Sequence, residues 1–272
     1  MALGLAESLD AAGAHDPVAT MRAYNLWWAN GKGVDAWDTG PIAGQALRHS
    51  PHARCTSDLE TTARAIDQRL RGQTAGANAL HRCTPLACAP FLDEAELLAA
   101  ARQESRLTHW SPISQHSCAA AAYLCRRLLC GDGWEEALAA TRAAVDELAP
   151  DDCPLVRDAL LSPVSAAGLD AGGFCVAVLR CALHFVGTAD SFEEALAPAL
   201  KFAGPNNYCP VLVGALAGAR FGVNAIPSTM CAHCRPGVFE RCRLTAAALM
   251  QRERTAGQAR EPGAAALPSR RC

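Results

Sequence analysis

A pair of cysteines at metal-ligand spacing lies near the end of the chain. Cys231 and Cys234 are separated by two residues, His233 lies between them, and Cys242 follows. Thiolates at this spacing bind zinc or exchange a disulfide. A structural zinc ion needs four ligands, and the sequence supplies no second pair at a defined distance. We therefore favour free thiols over a zinc site.

Carboxylates and an isolated histidine are the other side chains that could act chemically. Asp35 and Asp38 lie close together, but both precede a turn at Gly40–Pro41. That position favours a helix-capping or solvated role over a metal site. His109 lies near the end of a helical pattern, where a histidine serves as a cap or core residue or contacts a ligand. Both interpretations of His109 remain open at this point.

The elements that position these residues are predicted to be helices. Cap residues, apolar repeats at helical spacing and stop residues recur along the chain, whereas alternating strand patterns are nearly absent. Ser57 with Glu60 has capping-box spacing ahead of an apolar run. Helices are predicted over residues 134–148 and near residues 154–161.

Residues 172–186 are apolar nearly all round, which predicts a central helix. A further helix is predicted over residues 208–221. Its Gly214 and Gly218 are four residues apart on one face, a spacing that predicts close approach of another backbone.

The composition agrees with a single all-α domain. Half of the 272 residues are apolar but only 6% are aromatic, so the core must consist mainly of alanine, leucine and valine. Such a core favours closely packed helices over sheets. We predict one bundle of about ten helices over residues 1–254. Residues 255–272, rich in alanine, glycine, proline and arginine without periodicity, are predicted to be a disordered tail.

Charge and hydropathy argue against several functional classes. The formal net charge of −2 predicts no nucleic-acid surface. Charged residues, histidine or glycine interrupt every apolar run, so no membrane span is predicted. The first ten residues lack the features of a signal peptide, and we expect a cytoplasmic monomer. Most of the fourteen cysteines lie in apolar helical segments, where reduced thiols act as small hydrophobes.

Several stretches, taken in order, resemble the ADP-ribosylglycohydrolase family. The opening residues 1–9 resemble the helix that follows the family's early Thr-Asp-Asp-Thr motif. Residues 76–82 resemble its Gly-Asn-Gly-x-Leu-Met-Arg stretch, followed at the usual distance by residues 105–109. Residues 173–195 and 214–227 are similar to its C-terminal pattern. Each stretch alone is weak, but their order and spacing make the set specific.

The resemblance implies an all-α, single-domain orthogonal helical bundle of the ADP-ribosylglycohydrolase type. It implies a pair of magnesium ions at the centre and release of ADP-ribose from a modified protein or a related ADP-ribosyl compound. The expected partner is accordingly ADP-ribose or an ADP-ribosylated protein. The ligand-binding residues carried over by position are Asn78, His109, Gly204 and Asn206, and the one metal position is Asn207.

The chain departs from the family pattern at the metal motif. Where the family has Gly-Gly-Asp-Thr-Asp-Thr, residues 203–208 read Ala-Gly-Pro-Asn-Asn-Tyr. Pro205 has no side-chain oxygen, Asn207 is a weaker magnesium ligand than aspartate, and Tyr208 replaces a small hydroxyl. The early motif would lie before Met1. The middle stretch is also altered, with Ala77 for the family's asparagine and Asn78 for its glycine. No catalytic residue is assigned, and magnesium binding is expected to be weak or lost.

Three hypotheses for function follow. The first is an ADP-ribosylglycohydrolase-like protein, a pseudoenzyme whose catalysis is impaired as the chain stands. The second is an active magnesium-dependent hydrolase whose N-terminal metal motif is missing from this sequence. The third is a non-enzymatic helical interaction protein. Binding of ADP-ribose, and its dependence on magnesium, distinguishes the three.

Overall fold

The computed structural model describes residues 1–31, 39–148, 153–162 and 165–252. Within these ranges the chain forms thirteen α-helices. In order, α1 to α13 are Ala2–Ala12, Pro17–Gly31, Pro41–His49, Thr56–Arg69, Glu94–Arg106, Pro112–Leu129, Trp134–Leu148, Pro154–Leu161, Cys175–Gly187, Phe192–Ala203, Cys209–Phe221, Ser228–Ala232 and Val238–Gln251. Four short 3₁₀ turns lie at Thr84–Cys88, Ala166–Gly168, Gly204–Asn206 and Val223–Ala225.

The all-α prediction is confirmed. The extended pairing found in the described residues is an isolated antiparallel bridge between Gly76 and Phe174, with no sheet around it. Helix α6 lies at the centre, packed against α5, α7, α9 and α11. Small side chains on α6, including Ala119 to Ala122, have no exposed surface, which allows these neighbours to approach closely.

The predicted helix 172–186 begins at Cys175 and is deeply buried as expected. Nine of the thirteen residues of α9 are buried. The predicted helix 208–221 begins at Cys209, and α11 buries six of its thirteen residues. Its glycines do not have the predicted role. A Cβ on Gly214 would meet Leu196 Cδ1 at 3.9 Å, and no described atom lies within 4 Å of a Cβ on Gly218. The neighbour of this face at Gly214 is therefore a side chain and not the backbone of another helix.

Local signals determine several helix ends. Asp93 and Glu96 form a reciprocal capping box at the start of α5, with N···O distances of 2.9 and 2.8 Å. Ser191 accepts from Glu194 N at the start of α10. The start of α4 differs from the sequence expectation of a Ser57–Glu60 box. Cys55 is the N-cap instead, and the Asp58 carboxylate accepts from its backbone N–H.

Several sequence predictions fall partly or wholly outside the described ranges. Asp35, Asp38 and the tail 255–272 lie outside them, and the division of the chain at residue 254 stays a prediction. Among the described residues, buried Cys125, Cys175 and Cys181 are free thiols. No helix within the described ranges combines the length and the apolar character that crossing a bilayer requires.

Candidate functional site

Two segments distant in sequence are joined at the centre of the site. Ala77 N donates to Gly173 O at 2.9 Å, and Cys175 N donates to Ala75 O at 3.0 Å. The segment before α9 thus runs antiparallel to the loop that carries Asn78. These backbone bonds hold residues 75–77 against the N-terminal end of α9.

His109 lies beside this junction, just beyond the end of α5. Its backbone N–H donates to Ser105 O at 2.8 Å, and its side chain has no exposed surface. Nδ1 lies 2.6 Å from Thr108 Oγ1. A Cβ added to Gly76 would lie 3.4 Å from Nε2 and 3.3 Å from Ile42 Cδ1. Among the described residues Nε2 has no hydrogen-bond partner.

A buried ion pair contacts Thr108, the residue next to His109. Arg82 Nε donates to Glu104 Oε1 at 2.7 Å, and the two side chains are 2% and 0% exposed. Arg82 Nη2 donates to Glu104 O at 3.2 Å and to Thr108 Oγ1 at 2.8 Å. The Tyr24 hydroxyl donates to Glu104 Oε1 at 2.6 Å. The network therefore runs from α2 through α5 to the residue next to His109.

This environment determines the charge of each group. Burial lowers the pKa of His109 well below its ordinary value, and the nearby charges of Arg82 and His81 lower it further. Burial opposes the charge on Arg82, but Glu104 and Tyr24 outweigh it and raise its pKa. The site therefore presents a neutral imidazole next to a charged guanidinium.

The late segment 204–207 is exposed at the start of α11. Gly204 has φ 54° and Asn207 has φ 50°, so the chain passes twice through the left-handed region around the short turn Gly204–Asn206. Asparagine tolerates that conformation better than most residues. Tyr208, which follows, packs its ring on Gly173, where a Cβ would be 2.9 Å from Tyr208 Cζ. Its ring also stacks on His81, with centroids 6.4 Å apart.

A chain of contacts connects the segments that carry the predicted ligand residues. The His109 ring adjoins Gly76, the Gly76–Ala77 segment is bonded to Gly173, and Gly173 adjoins Tyr208. Asn78 is half-buried, with its side-chain oxygen 2.7 Å from the position of a Cβ on Gly40. His109 is fully covered, whereas Gly204, Asn206 and Asn207 are exposed. That their side chains share one concavity stays a prediction.

Two cavities lie elsewhere and are lined by other residues. One, of about 200 Å³, lies between α7, α8 and α9 and includes Trp134, Arg142 and His184 in its lining. The other, of about 380 Å³, lies between the α1–α2 loop and α5 and includes His15 and Gln103. Neither is lined by a ligand residue predicted from the sequence.

Comparison with known proteins shows the family to which the chain belongs. The model of the family described as ADP-ribosylglycohydrolase matches residues 1–260. The chain belongs to the ADP-ribosylglycohydrolase family. It is similar to the ADP-ribosyl-[dinitrogen reductase] glycohydrolase of Rhodospirillum rubrum, with 26% identity over 228 residues, 84% of this chain and 69% of that protein. A solved structure titled ADP-ribosylglycohydrolase-related protein complex superposes with a TM-score of 0.73 at 26% identity, covering 92% of this chain and 78% of that one.

The magnesium ions that the resemblance implies would have to be held by the donor atoms of the late segment. Segment 204–208 offers only backbone carbonyls, the amides of Asn206 and Asn207 and a phenol. Magnesium prefers carboxylate oxygens in near-octahedral geometry. Within the described residues, no three histidine, cysteine, aspartate or glutamate side chains are grouped as a metal site would require, and this also applies to Cys231, His233 and Cys234. The residues present at 204–208 do not fit magnesium.

The sequence interpretation missed the residues behind His109. Arg82 and Glu104 are 22 positions apart, and Tyr24 is 80 positions from Glu104. Arg82 belongs to the family-like stretch 76–82, which was the available signal for it. The sequence contained no such signal for Glu104, because a glutamate in an amphipathic helix is ordinarily exposed. Only the packing of α2 and α5 identifies it as a buried partner.

Proposed function

We propose that this family member binds ADP-ribose, free or attached to a protein, and that its magnesium-dependent hydrolysis is impaired. The observation that carries the proposal is the Nε2 atom of His109, which is buried beside Gly76 with no hydrogen-bond partner among the described residues. Leaving a buried polar group unsatisfied costs about 1–3 kcal/mol. A ligand oxygen at this place recovers that cost, and His109 aligns with the family histidine adjacent to ADP-ribose.

The cover over His109 sets a condition on this binding. The side chain has no exposed surface, and Ile42 Cδ1 and His109 Nε2 both lie within 3.4 Å of the position of a Cβ on Gly76, so Ile42 on α3 forms part of the cover. A smaller side chain at this position removes that part. We therefore expect Ile42→Ala to accelerate ADP-ribose association, which stopped-flow fluorescence measures.

Impaired hydrolysis follows from the chemistry of the late segment. Two magnesium ions bring four positive charges into a small volume, and segment 204–208 contributes no carboxylate to offset them. An ion held there by neutral oxygens keeps most of its water shell. The positioning and Lewis-acid contributions of such ions, worth several kcal/mol, are then not available to lower the barrier.

Isothermal titration calorimetry with ADP-ribose, in magnesium and in chelator, tests the proposal. We expect binding that magnesium does not strengthen and that His109→Gln weakens. His184→Gln, a histidine at the end of α9 lining a different cavity, is the matched control and should bind as the wild type does. A parallel assay with a mono-ADP-ribosylated protein should show no magnesium-dependent release of ADP-ribose.

The other two hypotheses predict different results. Binding strengthened by magnesium, with turnover that chelator abolishes, identifies an active hydrolase and refutes the impairment. No binding under either condition identifies an interaction protein without this ligand. Unchanged affinity in His109→Gln removes His109 from the site.

Two further properties are proposed. We propose that the protein is a cytoplasmic monomer, and free thiols such as those of buried Cys125, Cys175 and Cys181 are typical of a reducing compartment. Analytical ultracentrifugation and cell fractionation test these two statements. A concentration-dependent dimer or a membrane-associated fraction would contradict them.

A further inference from the structure

The Thr108 hydroxyl connects a permanent charge to the His109 ring. Arg82 Nη2 lies 2.8 Å from Thr108 Oγ1, and Thr108 Oγ1 lies 2.6 Å from His109 Nδ1. All three side chains are buried, with exposures of 2% or less. Glu104 Oε1 accepts from Arg82 Nε at 2.7 Å and so holds the guanidinium in place. The hydrogen-bond partners of the guanidinium, the Thr108 hydroxyl and His109 Nδ1 are therefore defined, and the proton in each hydrogen bond can be assigned.

The assignment follows from counting donors. Guanidinium nitrogens only donate, so Arg82 donates to Thr108 Oγ1. The hydroxyl has one proton of its own, and Nδ1 is its other neighbour. If Thr108 donates to Nδ1, the hydroxyl proton is satisfied. If instead Nδ1 carried a proton, that proton and the hydroxyl proton would compete for the same short contact, and one would be left unpaired in a buried site. The first arrangement also benefits because a hydroxyl that accepts from a cation is a stronger donor.

We propose that Arg82 and Thr108 are positioning residues that fix His109 in the neutral tautomer with its proton on Nε2, so that the ring donates a hydrogen bond toward Gly76. The other ring tautomer would present a lone pair there and would suit a donor. The fixed tautomer selects an acceptor oxygen, such as a phosphoryl or hydroxyl oxygen. The assignment of the tautomer concerns the free protein, whereas its consequence for binding rests on the proposed function.

Long-range ¹H–¹⁵N correlation spectra of the free protein test the tautomer directly. The His109 signals are assigned by their absence from His109→Gln. We expect wild-type Nε2 to be protonated and Nδ1 to be an unprotonated, hydrogen-bonded nitrogen. In Thr108→Val the Nδ1 resonance should move to a non-hydrogen-bonded position or gain a protonated fraction. Thr108→Ser, which keeps the hydroxyl, should restore the wild-type pattern.

Thr141→Val is the matched control. Thr141 is equally buried, but its hydroxyl donates to Ala137 O within α7, so this substitution should leave the His109 resonances unchanged. A protonated Nδ1 in the wild type overturns the proposal without need of any variant. The same conclusion follows if Thr108→Val and wild type give the same Nδ1 resonance.

Calorimetry with ADP-ribose separates this inference from the proposed function. Thr108→Val should weaken binding by about fivefold, the equivalent of one ordinary hydrogen bond, and Thr108→Ser should recover it. The expected tautomer without any ADP-ribose binding supports the positioning role and refutes the proposed function. Equal affinity of Thr108→Val and wild type, where both bind, overturns the role of the tautomer in ligand selection.

Discussion

Replacement of Glu104 by glutamine measures how much the buried Arg82–Glu104 ion pair contributes to the free energy of unfolding. The side chain keeps its shape and an oxygen that can accept from Tyr24 and from Arg82 Nε, but it loses its negative charge. Arg82 is 2% exposed, so its positive charge then lies in the core without a counter-ion. At the observed 2.7 Å and an effective dielectric constant of about 20, the attraction that is lost is about 6 kcal/mol.

Part of this loss is recovered because the neutral glutamine costs less to bury than a carboxylate. Removing one partner of a buried pair typically destabilises a protein by about 3–5 kcal/mol. We expect that loss in the free energy of unfolding, measured by urea denaturation followed by far-UV circular dichroism. For a chain of this size it corresponds to a decrease in Tm of about 6–20 °C.

A matched surface substitution provides the control. Glu7 and Arg241 form an ion pair at 2.6 Å between α1 and α13, but Arg241 is 61% exposed. Glu7→Gln makes the same chemical change and should cost about 0–1 kcal/mol. Adding Arg82→Met to Glu104→Gln removes the uncompensated charge and should recover part of the loss. If Glu104→Gln costs no more than Glu7→Gln, the buried pair does not stabilise the fold as argued.

The remaining predictions concern packing, proton uptake and loop anchoring. Gly173→Ala places a Cβ 2.9 Å from the Tyr208 ring and should lower the free energy of unfolding in urea by about 1–3 kcal/mol. Gly218→Ala, in open space within α11, should raise it by about 0.5–1 kcal/mol, and equal effects of the two would contradict the Gly173–Tyr208 contact. Burial lowers the pKa of folded His109, so the unfolded chain binds the extra proton and the free energy of unfolding falls as pH drops below about 6.5. His109→Gln should reduce the slope of unfolding free energy against pH by up to about 1.4 kcal/mol per pH unit, and an unchanged slope from pH 6.5 to about 5.5 would show that His109 titrates normally. Arg126 donates to four backbone carbonyls between residues 86 and 92, so Arg126→Lys should lower Tm by several degrees and speed proteolysis of that loop. An unchanged digestion pattern would indicate that the loop is held by other contacts.

The helical fold and much of its order could be predicted from the sequence, because its causes are local. Helices α7 and α8 begin and end where caps and apolar periodicity predict, at Trp134–Leu148 and Pro154–Leu161. The failure at the start of α4 is equally local. Ser57–Glu60 and Cys55–Asp58 have the same spacing, and the structure uses the second. Motif spacing therefore predicts that a cap exists more securely than it predicts which residue forms it.

The candidate site was predictable only as a set of segments. The order of the stretches around Asn78, His109 and Asn207 identifies the family, and the chemistry of Pro205 and Asn207 already argues against a magnesium ligand set. Neither the burial of His109 nor the contact between Gly173 and Tyr208 can be read from spacing. Gly214 and Gly218 illustrate the limit, since their helical face was identified correctly but the backbone expected against it is not there.

The sequence by itself determined the all-α class, the family and the loss of carboxylates from the late motif. Each of these depends on residue types and on intervals along the chain. Tertiary structure alone decided which side chains lie behind the candidate site, because Tyr24 on α2 and Glu104 on α5 meet Arg82 only when these helices pack against the loop that carries it. Burial then gives these ordinary residues their properties, since a charge or an imidazole removed from water must find its partners in the surrounding protein.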